Sequence, residues 1–125
     1  MLSNREAHLV GEIFEESEKA LSWTAEKDEQ SFLRDEPLVY ATEKAIQNTV
    51  EACIQLEGKL DTGRFEALFP NYTLRAVKKI GNSLRHNYAG VTATEVYATI
   101  GDFVGPIHLR ASELLDQHRA LHGDR

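Results

Sequence analysis

The stretch of residues 35–60, DEPLVYATEKAIQNTVEACIQLEGKL, decides the fold class. Its apolar residues recur every three or four positions, which is the spacing of one helix face and not the alternation of a β-strand. Asp35 or Glu36 can cap this helix, and Pro37 suits a first helical position because no partner is needed for its missing N–H. The apolar stripe consists of Ala45, Ile46, Val50, Ala52, Cys53, Leu56 and Leu60. We predict the central helix of an all-α core, ending at about residue 60 with Gly63 as its C-terminal signal.

The same helical spacing continues in both directions along the chain. Toward the N-terminus it predicts a helix over residues 4–25 and a short helix over residues 29–33. Toward the C-terminus, a short aromatic segment ends at Pro70, and a helix is predicted from about residue 72 to residues 88–90. A capping box of Thr92 and Glu95 begins the last long helix, in which Gly105 and Pro106 predict a kink or short break.

Four main helices joined by short links predict an antiparallel four-helix bundle with short extra helices. We expect one domain over residues 1–117 and a polar tail over residues 118–125 that frays.

The composition is that of a soluble, folded domain. The hydrophobic share of 42% and the charged share of 27% exclude a disordered chain. No apolar run approaches the ~18 residues of a membrane span, and the N-terminus does not resemble a signal peptide. The single cysteine, Cys53, excludes an internal disulfide and is predicted to be a core residue. These features predict a protein of the cytoplasm, without a membrane partner.

The charge is unevenly distributed along the chain. The net charge is -6, yet residues 71–125 hold 7 Lys and Arg against 5 Asp and Glu. Residues 67–94 contain no acid, while Arg75, Lys78, Lys79 and Arg85 lie within them. The acidic remainder argues against non-specific coating of nucleic acid. These four cations therefore predict either a local site for RNA phosphates or an ordinary solvated helix face.

Polar side chains accompany these cations. On an ideal helix Lys79, Asn82 and His86 share one face, which Arg85 and Tyr88 flank. Histidine suits proton transfer near neutral pH because its ordinary pKa is about 6.5. Since RNA carries a 2′-hydroxyl beside each phosphodiester, a base, a cation and a polar side chain suffice for cleavage without a metal. The alternative is that His86 is a surface histidine that the helix C-terminus stabilises.

No cofactor or metal site is predicted. His118 and His122 have the i, i+4 spacing of metal ligands, but no third ligand is evident near them in the sequence.

The run GNSLRHNY (residues 81–88) resembles the R-N-x-x-x-H-x-Y signature of the HepT-like family of HEPN ribonucleases. The family's arginine is Gly81 here. The resemblance extends over about residues 5–115. It includes the junction FLRDE (residues 32–36), the Ala-rich helix of residues 41–56, Phe69-Pro70, and Val91 with Val96-Tyr97.

This resemblance implies a HEPN four-helix bundle, a homodimer whose paired motifs face a shared cleft, and a metal-independent endoribonuclease that acts as a toxin. His86 corresponds to the catalytic histidine and Asn82 to the polar residue beside the arginine. Tyr88 corresponds to the tyrosine that, in some systems, a nucleotidyltransferase (MntA-like) antitoxin modifies with AMP.

Gly81 is the departure from this family pattern, because glycine supplies no cation. Lys79 or Arg85 is then the candidate for the arginine's role. Since arginine is a better helix former than glycine, Gly81→Arg is expected to raise cleavage and leave the fold intact.

Three hypotheses follow. The first is a HepT-like ribonuclease with His86 as acid and base and a relocated cation. The second is a catalytically impaired HEPN module that binds RNA or a nucleotidyltransferase, which Gly81 favours. The third is a structural helical dimer whose basic face contacts an acidic protein surface.

Overall fold

The computed structural model describes residues 2–58, 62–86 and 93–122, and only the backbone of His86. The helices are α1 (Asn4–Thr24), α2 (Glu29–Arg34), α3 (Glu36–Leu56), α4 (Arg64–Leu68), α5 (Leu74–His86), α6 (Ala93–Thr99) and α7 (Gly105–His122), and a π-helical turn, Ile100–Val104, joins the last two. These described ranges contain no β-strand, which confirms the all-α prediction. None of their helices is long and apolar enough to cross a membrane.

The helix α3 is central, as predicted. It packs against both α1 and α5, and α1 packs in turn against α7. Ile46, Val50 and Cys53 are at most 1% exposed, and burial raises the pKa of the Cys53 thiol. The predicted cap is also present, since Asp35 accepts the N–H of Leu38 at 3.2 Å. These contacts order the long helices as α7, α1, α3 and α5, while the antiparallel bundle itself stays a prediction.

The predicted C-terminal end of α3 is wrong. The helix ends at Leu56, four residues early, because the backbone of Glu57 turns to an extended conformation. The Glu57 carboxylate then accepts the N–H groups of Gly63 at 2.5 Å and Phe65 at 3.0 Å, at the start of α4. Gly63 has a φ of 84° and directly precedes α4, so it begins the next helix and does not terminate α3.

The irregularity predicted at Gly105 and Pro106 is the π-helical turn. The N–H of Gly105 donates to the carbonyl of Ile100, five residues earlier, and Pro106 directly follows the turn as the second residue of α7. Because proline has no N–H, it donates no backbone hydrogen bond where the turn meets α7. A polar tail was predicted from His118, whereas α7 continues to His122.

Glu6 joins the start of α1 to α4. Its carboxylate accepts the N–H of Ser3 at 3.0 Å, and the Ser3 hydroxyl accepts the N–H of Glu6 at 3.1 Å, which forms a capping box. Arg64 donates to the same carboxylate from Nε at 2.5 Å and from Nη2 at 3.1 Å. The Arg64 guanidinium lowers the pKa of the Glu6 carboxyl although only 6% of the residue is exposed.

Glu6→Gln is expected to lower the free energy of unfolding by about 1.5–3 kcal/mol at neutral pH, because a carboxamide cannot accept both charge-assisted hydrogen bonds. The pKa of Glu6 is depressed by folding, so its contribution is present above the ordinary value of 4.5 and is lost as the pH falls through the folded-state pKa. Urea unfolding at neutral pH and at about pH 3 measures both effects, with Glu15→Gln on the exposed side of α1 as the control. A loss of stability that is equal at both pH values would contradict this assignment.

Candidate functional site

The helix α5 carries most of the residues that the sequence singled out. Its start is fixed by Thr73, whose side-chain oxygen accepts the N–H of Ala76 at 3.1 Å. The helix therefore begins at Leu74, two residues later than predicted.

The inner face of α5 contacts α3 through two apolar residues and one glycine. Val77 and Leu84 are buried, and Gly81 lies between them. A Cβ atom at Gly81 would lie 2.9 Å from Val50 Cγ1 and 3.6 Å from Gln47 Oε1. The Gln47 side chain also donates from Nε2 to the carbonyl of Gly81 at 3.3 Å. Glycine at position 81 thus permits the close approach of the two helices.

This contact overturns the expectation that Gly81→Arg leaves the fold intact. Helix propensity favours arginine over glycine, but it concerns an isolated helix and takes no account of a neighbour. Val50 is 1% exposed, and its branched side chain has little rotamer freedom with which to move away.

The outer face of α5, which we define by Arg75, Lys79 and Asn82, is exposed. Their spacings of four and three residues place them in one line along the helix, and the backbone position of His86 follows four residues later. A shallow groove of about 700 Å³ runs along this face, lined also by Leu74, Lys78 and Ser83. The structure therefore brings four of the predicted residues together: Arg75, Lys78, Lys79 and Asn82.

The outer face carries uncompensated positive charge. Within the described residues, Arg75 and Lys79 form no salt bridge, and Asn82 makes no side-chain hydrogen bond. Lys78 has an acidic neighbour in Glu57: the backbone N–H of Phe65 lowers the pKa of the Glu57 carboxyl most, and the charge of Lys78 lowers it further. Most of these cations are therefore available to an anion from solution.

Arg85 lies apart from this line, in a second groove between α3 and α5. We call it the Tyr40 groove. It has a volume of about 930 Å³ and is lined by Tyr40, Glu43 and Gln47 on α3 and by Leu84 and Arg85 on α5. Sequence reasoning missed this groove, although Tyr40, Glu43 and Gln47 share the three- and four-residue spacing of one helix face.

Four predictions concern side chains or residues that the structure does not describe. His86 is the last residue of α5, and its side chain is not described. Tyr88, the predicted end of the helix at residues 88–90, and Thr92 of the predicted capping box are not described either. Their roles stay predictions.

His118 and His122 are neighbours on α7, with ring centroids 4.3 Å apart. In residues 2–58, 62–86 and 93–122, no group of three or more His, Cys, Asp or Glu side chains is arranged to hold a metal ion.

One comparison with known proteins gives a match. The model of a protein family described as "Ribonuclease HepT-like" matches residues 13–114. No match was found among curated proteins or among solved structures.

Proposed function

Because the chain belongs to the ribonuclease HepT-like family, we propose that it is an endoribonuclease that cleaves RNA at the outer face of α5. The observation that carries the proposal is the single line formed by Arg75, Lys79 and Asn82 with the backbone position of His86. Cations on this face attract RNA phosphates, and residues 67–94 themselves contribute no acid to it. We propose further that the enzyme needs no metal ion and acts in the cytoplasm as the toxin of a toxin–antitoxin pair.

The proposed reaction is an intramolecular transfer at phosphorus. The imidazole of His86 removes the proton of a 2′-hydroxyl, the 2′-oxygen bonds to the adjacent phosphorus, and the bond from phosphorus to the 5′-oxygen breaks. The proton then passes from His86 to the leaving 5′-oxygen. The products are a 2′,3′-cyclic phosphate and a 5′-hydroxyl. Asn82 donates a hydrogen bond to a non-bridging phosphate oxygen, where negative charge builds in the transition state.

Lys79 is the proposed replacement for the family's arginine. It lies on the outer face with Asn82, whereas Gly81 faces Val50 on α3 and Arg85 lines the Tyr40 groove. A preorganised donor at a developing oxyanion typically contributes about 2.7–4 kcal/mol. Lysine offers a point charge, whereas the planar guanidinium of arginine can donate two parallel hydrogen bonds to a phosphate. We therefore expect this protein to cleave RNA slowly.

The proposed assembly is a symmetric homodimer in which residues 75–88 of both protomers face a shared cleft. One outer face offers few groups around a phosphate, so a second copy would complete the site. The proposed antitoxin is a nucleotidyltransferase (MntA-like) that transfers AMP to Tyr88, which would bring negative charge into the cleft and block RNA. Light scattering at micromolar concentration tests the dimer, and a mass shift on the Tyr88 peptide tests the modification.

The direct test of the function is cleavage of RNA by the purified protein in the presence of EDTA. We expect slow cleavage and fragments that end in a 2′,3′-cyclic phosphate. A requirement for added divalent metal would contradict the proposed chemistry.

Charge reversal of Lys78 and Lys79 to glutamate is expected to weaken RNA binding and to flatten its dependence on salt. Each RNA phosphate that the variant no longer neutralises should reduce the slope of log K against log salt by roughly 0.7 for single strands, because fewer counterions are released. Fluorescence anisotropy with a labelled oligoribonucleotide measures the slope. Lys19→Glu with Lys27→Glu is the control, because it makes the same charge change away from α5. An unchanged slope would favour a protein as the partner of this face.

The second candidate is a catalytically impaired HEPN module that binds RNA or a nucleotidyltransferase antitoxin. The glycine at position 81 favours it, because the family's cation is missing there. RNA binding without any cleavage is the outcome that would select it.

A further inference from the structure

The Tyr40 groove extends along α5 to Arg85, one residue before the end of that helix. Its volume of about 930 Å³ is within the range of sites that enclose small ligands. Tyr40, Glu43 and Gln47 form one wall on α3, and Arg85 on the opposite wall directly precedes His86 in the chain. A ligand in this groove therefore adjoins the end of α5.

Tyr40 gives the groove a flat aromatic surface. The residue is 75% exposed, and no other aromatic ring of the described residues stacks on it. A tyrosine held on a helix and open to solvent is a platform on which a nucleobase can stack, as in proteins that bind unpaired RNA bases. A role in the hydrophobic core does not account for this residue, because its ring is not buried.

Glu43 gives the groove a selective hydrogen-bonding group. It is half-buried, and burial alone raises the pKa of its carboxyl, since no described residue forms a hydrogen bond or salt bridge with it. An ionised carboxylate is an acceptor with two oxygens, so it binds best to two adjacent donors. Guanine offers such a pair, N1–H and N2–H, on its Watson–Crick edge, whereas adenine, cytosine and uracil do not.

We propose that the Tyr40 groove binds a guanine base of RNA, which stacks on Tyr40 while its N1–H and N2–H donate to the carboxylate of Glu43. Arg34, Lys44 and Arg85 border the same groove and bind the phosphates on either side of the base. The link to cleavage rests on the proposed function: the groove would select guanosine next to the bond that His86 breaks. Binding of the base itself does not depend on catalysis.

Isothermal titration of the full chain with guanosine, inosine and adenosine 5′-monophosphates tests the groove without any cleavage step. Inosine monophosphate lacks only the N2 amine, so it should bind about ten-fold more weakly than guanosine monophosphate, and adenosine monophosphate more weakly still. Equal affinity for the three nucleotides, or no binding of any, would overturn the proposal.

Variants at positions that line the groove assign the contacts. Glu43→Gln should remove the preference for guanosine monophosphate, whereas Glu51→Gln, which changes an exposed carboxylate of the same groove, should retain it. Tyr40→Ala should lower the affinity for all three nucleotides about ten-fold, whereas Tyr40→Phe should leave it unchanged. If Tyr40→Ala alters the dimer dissociation constant and no nucleotide affinity, the groove is an interface between two copies and the proposal fails.

The nuclease and the groove can fail separately. Preferential binding of guanosine monophosphate without RNA cleavage would support the guanine site and contradict the proposed endoribonuclease. RNA cleavage without a base preference, at the same rate in Glu43→Gln as in the wild-type protein, would support the endoribonuclease and contradict the guanine site.

Discussion

RNA cleavage by His86→Ala is expected to be about 10²–10⁴-fold slower than cleavage by the wild-type protein, because the variant loses its general acid and base. RNA affinity should change little by comparison, since the cations of the outer face remain in place. Single-turnover cleavage with excess protein measures the chemical step without product release. Anisotropy with a non-cleavable 2′-deoxy oligonucleotide measures binding separately.

Two controls accompany this prediction. His8→Ala removes a histidine whose side chain is 76% exposed on α1, so it should cleave at the wild-type rate. Urea unfolding of both variants separates loss of the base from loss of the fold. If His86→Ala cleaves as fast as wild type, another group transfers the proton and the proposed mechanism is wrong.

Gly81→Arg is expected to lower the free energy of unfolding by at least about 3 kcal/mol, because it overpacks the contact with Val50 and places a cation against a buried surface. Gly81→Ala should lower it by less. Its added methyl group costs about 1–3 kcal/mol by overpacking, which equals or exceeds the ~1 kcal/mol that alanine gains over glycine in a helix. Chemical denaturation measures both values.

Gly11→Ala is the matched control for Gly81→Ala. Gly11 also lies within a long helix, but nothing lies within 4 Å of a Cβ atom there, so alanine should stabilise the protein by roughly 0.5–1 kcal/mol. Val50→Ala removes the atom that the new methyl group would meet. The double variant Gly81→Ala with Val50→Ala should therefore lose less stability than the sum of the two single variants. Strict additivity would show that the two residues are not in contact.

Because Gly81→Arg overpacks the contact with Val50, it is unsuitable for testing the role of the arginine that the family has at this position. A poorly folded Gly81→Arg protein cannot report on transition-state charge, whatever its cleavage rate. Lys79→Ala and Lys79→Arg keep the contact between α3 and α5 and change only the cation of the outer face. They are the variants that address the role of this charge.

The sequence predicts the long helices well because their apolar periodicity is a local signal. It failed at the end of α3 because the carboxylate of Glu57 bonds to N–H groups six and eight residues later, which no periodicity records. It assigned Asn82 and Lys79 to one face by helix geometry alone. It misread Gly81 because a motif gives residue types in order, whereas the direction in which position 81 points depends on the contact with α3. The Tyr40 groove was missed for the same reason, since residues of several helices form it.

The π-helical turn at Ile100–Val104 limits the insertions and deletions that this part of the chain can accept. Together with α6 and α7 it forms one continuous helical segment that serves two interfaces, since α6 contacts α2 and α7 contacts α1. Because the turn holds one surplus residue relative to an α-helix, each residue after it lies about 100° from the angular position that an uninterrupted α-helix would give it. The number of residues in this segment therefore sets the angle between the face of α6 that contacts α2 and the face of α7 that contacts α1. Within this segment, an insertion or deletion of a single residue is a larger structural event than most substitutions.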